Sequence, residues 1–174
     1  MYRKIAILGS GSWATALAKI VMQNQGEINW FIRRQEVIDE FIATGKNPSY
    51  LGAAEFDVSR IHFSADINQT VAQSDVLILA IPSPYVKQSL NKIRRDMTHK
   101  VVISAVKGMI PEENVIVTDY LHARFGIAFD QLGVIAGPCH AEEIARMSTS
   151  DCATVWLMSA EKWIRLTSNS AAPR

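Results

Sequence analysis

Four stretches of the chain combine residue types and spacings that could do chemistry. The first, Gly9-Ser10-Gly11-Ser12-Trp13-Ala14, has the G-x-G-x-x-G/A spacing with Ala last. Gly9 permits a tight turn off a strand, and Gly11 has no side chain to keep an anion from the backbone. Ala14 is small enough for a helix to pack closely on that strand. A helix starting here would offer unpaired N–H groups and a partial positive charge, which together suit the diphosphate of a dinucleotide. The second stretch is Arg33-Arg34. At that place an NAD-selective site usually carries an acid that accepts from the ribose 2′-hydroxyl. Two guanidinium groups suit a 2′-phosphate instead, so NADPH is favoured over NADH. The competing reading is a pair of solvated turn residues, and Glu36 close by keeps NAD open. The remaining stretches are Lys107-Gly108 and Gly137-Pro138-Cys139-His140, where turn residues sit beside polar groups.

These residues need elements to hold them. Ile5 to Leu8 is a short apolar run of strand type, and Ala14, Leu17, Ala18 and Val21 recur at helical spacing behind the glycines. Gly26 closes that helix, and Ile28 to Ile32 form a second strand running into the arginines. Val37, Ile38, Phe41 and Ile42 predict a short amphipathic helix, followed by irregular chain from Gly45 to Asp57. Ile61 to Phe63 reads as a short strand, with Asp66 capping a brief helix. Val76 to Ile81 is continuously apolar, as in a parallel strand covered on both faces. It ends at Pro82, with Ser83 as N-cap and Pro84 at the first position of a helix lined by Val86, Leu90 and Ile93. Lys100 to Ala105 is a further strand. Pro111-Glu112-Glu113 opens a helix that Gly126 ends, and Leu132 to Ala136 is a strand leading into a helix through Ala141, Ile144 and Ala145. Strand and helix alternate, which predicts an α/β fold with a doubly wound, mostly parallel sheet. Ligands of such folds sit beyond the carboxyl ends of the strands, where Pro82-Ser83, Lys107-Gly108 and Gly137-Pro138-Cys139 all fall.

Composition narrows the function classes. The 174 residues suffice for one domain with a proper core, and 48% of them are hydrophobic. A net charge of +1 provides no footprint for nucleic acid or an anionic membrane. No apolar run approaches the roughly 20 residues of a membrane span, and the opening one is too short for a signal peptide's core. Cys139 and Cys152 lack metal-ligand spacing and read as free thiols, so the sequence points to the cytoplasm and to no metal site.

Taken in order, these segments resemble one family, the soluble NAD(P)-dependent glycerol-3-phosphate dehydrogenases. Its G-x-G-S-[WYF]-G/A-T-A-[LI]-A opening matches Gly9 to Ala18, and its Arg or His after the second strand matches Arg33. Its N-P-x-Y-L segment is Asn47 to Leu51, its V-P-S strand end is Ile81-Pro82-Ser83, and its A-T-K-G strand end is Ala105-Val106-Lys107-Gly108. Its S-G-P-[ST]-x-A-x-E appears as Ala136 to Glu143, so the resemblance covers residues 3 to about 145. It implies a Rossmann-type domain that passes a hydride from NAD(P)H to C2 of dihydroxyacetone phosphate, giving sn-glycerol 3-phosphate for phospholipid synthesis. It also implies site roles. Ser12, Trp13 and Arg33 contact the cofactor with Ala141 against it, and the reading of the residues themselves adds Gly9, Ser10, Gly11, Arg34 and Pro82 to the cofactor site. Lys107 touches cofactor and substrate, and Gly137 and Cys139 line the substrate. An ammonium at Lys107 would stabilise the negative charge that builds on a carbonyl oxygen during reduction. Cys139 stands where the family has Ser or Thr, which favours hydrogen bonding or packing over an activated thiolate. His140 is read as a solvent-facing or core residue rather than a general base.

The resemblance also fails in places. The family's second, helical domain, with its proton-transferring lysine and phosphate-gripping residues, has no counterpart in the sequence. Residues 1–147 therefore read as the dinucleotide-binding domain and 148–174 as an atypical tail, truncated or altered in frame. Within that tail Thr154 to Met158 predicts a strand, Ala160 to Leu166 a short helix, and Ser168 to Arg174 a disordered polar end. The expectation is a chain that binds cofactor and turns over little substrate. A non-catalytic NAD(P)-binding sensor is the alternative from a different class, and ketopantoate and 6-phosphogluconate dehydrogenases are neighbours within the same class. A homodimer is left open.

Overall fold

A computed structural model describes residues 4–135 and 141, together with the backbone of 156–158 and 163–165. β1 (Ile5–Leu8) leads into α1 (Ser12–Asn24), β2 (Ile28–Phe31) into α2 (Gln35–Thr44), and β3 (Ile61–Ser64) into α3 (Ile67–Ala72). β4 (Val76–Leu79) is followed by α4 (Ser83–Leu90) and β5 (Val101–Ser104). A hairpin of β6 (Met109–Ile110) and β7 (Val115–Ile116) precedes α5 (Val117–Phe125) and β8 (Leu132–Val134). β9 (Trp156–Met158) and β10 (Trp163–Arg165) form a separate antiparallel pair. The main sheet has six strands in the order β3-β2-β1-β4-β5-β8, all parallel. This is the doubly wound order, in which strands are added outward one way from β1 to β3 and the other way from β4 to β8, so the winding switches between β1 and β4.

Burial explains why β1 and β4 are apolar throughout. Ile5, Ile7, Trp30, Val76 and Ile78 face one core with Leu17 and Val21 of α1 and Val37, Ile38 and Phe41 of α2. Ala6, Leu8, Leu77 and Leu79 face a second core with α3, α4 and α5, through Val71, Val86, Leu90 and Leu121. Alternate residues of each strand thus enter different cores, and a parallel sheet with helices on both faces results. α1 also packs Ala16 and Ile20 against Ala141.

Several element boundaries differ from the sequence reading, each for a local reason. Gly26 does not close α1. Its C-cap is Gln25 in an extended conformation, and the Arg60 guanidinium donates to the carbonyls of Met22, Gln25 and Gly26. α4 begins one residue early, with Pro82 rather than Ser83 as its N-cap. Pro111-Glu112-Glu113 does not open a helix; it is a hairpin turn ended by Asn114 at φ 51°, with the Glu113 and Asn114 amides bonded back to Ile110. The helix starts only at Val117, though Gly126 ends it as expected, at φ 68°. Residues within the expected helix Ala160 to Leu166 pair instead as β10 against β9, because a ladder partner is available there. Asp66 caps α3 by accepting from the Asn68 amide, as expected.

Candidate functional site

The first turn of the sheet is held from both sides. The Gly9 amide donates to Phe31 of β2 (3.2 Å) and the Ala80 amide, just beyond β4, donates to Leu8 (2.9 Å). Gly9 is buried at φ +132°, where a Cβ would stand 2.4 Å from the Ala80 carbonyl oxygen. Only glycine fits there. Gly11 differs. Its φ of −74° suits any residue, and a Cβ on it would meet nothing within 4 Å. Since neither its conformation nor its neighbours require glycine, the open space in front of it is what the missing side chain preserves.

Behind the turn, buried side chains hold its carbonyls. Trp30 Nε1 donates to Gly9 O (2.7 Å) and Asn47 Nδ2 to Ser10 O (3.1 Å). Thr15 Oγ1 donates to Gly11 O (2.9 Å) and accepts from Asn47 Nδ2 (2.8 Å). The Asn47 carbonyl oxygen in turn accepts the amides of Ser49 and Tyr50. In front of the turn lies a cleft of ≈ 420 Å³ lined by Gly11, Ser12 and Trp13, by Ala80 to Pro84, by Ala105 to Lys107 and by Ala141. α1 enters it with no acid in its first turn and no side-chain cap on its N-terminal N–H groups, so its positive end faces the cleft uncompensated.

Trp13 and Lys107 meet across this space, with the Lys107 ammonium 5.4 Å from the Trp13 ring centroid, within cation–π range. The Trp13 indole nitrogen is shielded from solvent and has no hydrogen-bond partner among the described residues. A buried donor without an acceptor is costly, so a ligand acceptor would relieve it. Arg33 and Arg34 follow β2, exposed and outside the residues that line the cleft. Arg34 lies 3.9 Å from Glu36. The β6–β7 hairpin that follows Lys107-Gly108 is fastened to α4 by Lys87, which meets Glu112 at 2.8 Å and Glu113 at 2.7 Å. Those hydrogen bonds hold the lysine well above its usual pKa range.

The structure therefore gathers Gly11, Ser12, Trp13, Pro82, Lys107 and Ala141 around one cleft and puts Gly9 and Ser10 in its supporting turn. Gly137 and Cys139, with His140, lie outside the described residues. Sequence reasoning gave no role to Asn47 or Trp30, nor did it place Pro84 in the lining, whereas Ser83 lines the cleft as its strand-end position implied. For Trp30 a signal existed: an indole in a buried strand must find an acceptor for its N–H. Both open space at Gly11 and the orphaned Trp13 donor fit a dinucleotide.

Comparison with known proteins agrees with this geometry. Residues 4–163 match the model of the NAD-dependent glycerol-3-phosphate dehydrogenase N-terminus. A glycerol-3-phosphate dehydrogenase (NAD(P)+) of Oceanobacillus iheyensis is 31% identical over 144 residues, 82% of this chain and 41% of that protein. A Mycobacterium tuberculosis protein of the same description is 30% identical over 142 residues, 81% of this chain and 42% of its own length. Among solved structures, the Plasmodium falciparum glycerol-3-phosphate dehydrogenase superposes with a TM-score of 0.71 at 27% identity, over 82% of this chain and 43% of that one. The chain thus spans about two-fifths of the length of the curated relatives it matches.

Proposed function

Since this chain belongs to the family of the NAD-dependent glycerol-3-phosphate dehydrogenase N-terminus, we propose that it binds NADPH or NADH in the cleft over Gly9-Ser10-Gly11-Ser12. The reaction it serves is reduction of dihydroxyacetone phosphate to sn-glycerol 3-phosphate in the cytoplasm, the bound cofactor supplying the hydride. The single observation that carries this reading is Gly11, whose side-chain position is open although neither its φ nor its neighbours demand glycine. The family's name adds the substrate.

Within this reading each residue has a task, and residues 1–147 are the dinucleotide-binding unit. Ser12 and Trp13 hold the cofactor at the start of α1, with Pro82 and Ala141 also lining the cleft. Arg33 and Arg34 receive a 2′-phosphate at the end of β2, which favours NADPH. Lys107, at the end of β5, places its ammonium where charge develops on the substrate oxygen, and the Trp13 face holds it there. Gly137 and Cys139 line the substrate. By itself this polypeptide binds cofactor and turns over little substrate. Titrating the purified chain with NADPH and NADH, following nicotinamide fluorescence, should give saturable binding. Dihydroxyacetone phosphate reduction should stay far below the roughly 1–1000 per second typical of enzymes. Absence of binding would overturn the cofactor reading, and turnover in that range would overturn the inactivity.

A further inference from the structure

We infer that Trp30, Asn47 and Thr15 are positioning residues that fix the direction in which the glycine turn presents its N–H groups to a diphosphate; this rests on the cofactor reading above and adds what sets the turn's orientation. The carbonyls of Gly9, Ser10 and Gly11 each accept a side-chain donor from behind the turn, namely Trp30 Nε1, Asn47 Nδ2 and Thr15 Oγ1, the last beside the Thr15 amide that opens α1 on the same oxygen. In a planar trans peptide the C=O and the following N–H point in opposite directions. Holding those carbonyls back therefore turns the N–H groups of Ser10, Gly11 and Ser12 the other way. Among the described residues none of those amides donates to a backbone carbonyl or to a side chain.

The restraint matters because glycines on both sides of Ser10 leave its peptides free to rotate. A flipped Gly9–Ser10 peptide would aim a carbonyl oxygen at the phosphates and repel them. The donors are well placed to prevent this, since Trp30 and Thr15 are 0% exposed and Asn47 is 2% exposed, and water competes little. Thr15 also joins two of the restraints, accepting from Asn47 while donating to Gly11. The trio spans β2, the chain after α2 and α1, so three separate parts of the fold converge on one turn.

A merely structural role would weaken all ligands alike, whereas positioning acts on the diphosphate. The test uses the full chain and two probes, ADP-ribose and adenosine, titrated by NMR, with thermal unfolding measured in parallel. Trp30 is replaced by β-(3-benzothienyl)alanine, which keeps the shape of the ring and removes its N–H. Thr15→Val removes the hydroxyl at nearly constant volume, and Thr15→Ser restores it. ADP-ribose affinity should fall about three- to tenfold for each lost donor, with adenosine changed less than about twofold and Thr15→Ser close to wild type. Equal losses for both probes, or unchanged ADP-ribose affinity in the folded Thr15→Val chain, would overturn the inference while leaving the cofactor reading intact. A wild-type chain that fails to bind ADP-ribose would overturn both.

Discussion

A Cβ on Gly9 would lie 2.4 Å from the carbonyl oxygen of Ala80, so the first and fourth strands of the sheet come together at a point with room for a hydrogen and nothing more. Gly11, two residues on, has empty space at the same distance. On the proposed reading the two glycines do different work, one for the fold and one for the ligand, and substitution separates them. Gly9→Ala must adopt φ +132° and push backbone aside, which should cost at least about 2–3 kcal/mol in thermal or urea unfolding. Gly11→Ala should stay within about 1 kcal/mol of wild type. Yet it should bind NADPH at least about tenfold more weakly, because its methyl occupies the phosphate's approach. Loss of stability at Gly11 with binding retained would reverse the assignment.

The arginine pair makes a second prediction. Arg33 is exposed after β2 with no carboxylate within ion-pair distance among the described residues, while Arg34 has Glu36 nearby. Arg33→Ala should therefore weaken NADPH by about tenfold, the worth of a charge-assisted hydrogen bond, and leave NADH within about twofold. Fluorescence titration with both nucleotides decides it. Equal losses would remove Arg33 from the 2′-phosphate.

How far the sequence was readable follows from the range of each interaction. β1, β2, β4 and β5 were visible as apolar runs because both faces are buried, and the glycine turn because its spacing is local. The β6–β7 hairpin was not, since Pro111-Glu112-Glu113 has the composition of a helix start and two-residue strands leave no periodicity to find. Gly26 reads as the helix stop, whereas α1 ends on an extended Gln25 whose neighbouring carbonyls are capped by Arg60, distant in sequence. The same holds at the site. Gly9 to Ser12 and Lys107 could be named in advance, but the side chains that restrain the turn, Trp30 and Asn47, act through folded contacts that spacing does not encode.

The hairpin's attachment is testable without touching the cleft. Lys87 holds Glu112 and Glu113 on the turn between β6 and β7, directly after the Lys107-Gly108 strand end. These groups are partly to largely exposed, so salt should screen them and their contribution to global stability should be small. Locally the effect should be larger. Lys87→Met should speed hydrogen exchange at the hairpin amides while leaving β4 and β5 protected, and 0.5 M salt should do the same to wild type. Unchanged exchange in both would mean that backbone pairing alone holds the hairpin.

The last prediction concerns pH and the end of α1. Asp57 accepts the amide and hydroxyl of Ser59 at one oxygen, and this cap starts the short turn that carries Arg60. Arg60 then donates to Met22, Gln25 and Gly26, satisfying carbonyls the helix leaves open and placing a cation at its negative end. Arg60→Ala should cost about 1–2 kcal/mol and fray the last turn of α1. The Ser59 hydrogen bonds hold the Asp57 carboxyl below its ordinary value. A lowered folded pKa means stability that is present above the unfolded value, near 3.8, and is lost as pH falls through the folded one. Acid below about pH 4 should therefore loosen the turn around Arg60, while Asp57→Ala, which removes the capping oxygen, should do so at neutral pH and flatten that acid limb. The Glu27 carboxyl is also held low, by His62 first and by Arg60 among others, so the Asp57 variant is what assigns the acid limb to Asp57. Amide exchange at Met22 to Gly26 between pH 3 and 6 reads it directly, and a pH-independent protection pattern in wild type would show that Arg60 keeps its place without the Asp57 cap.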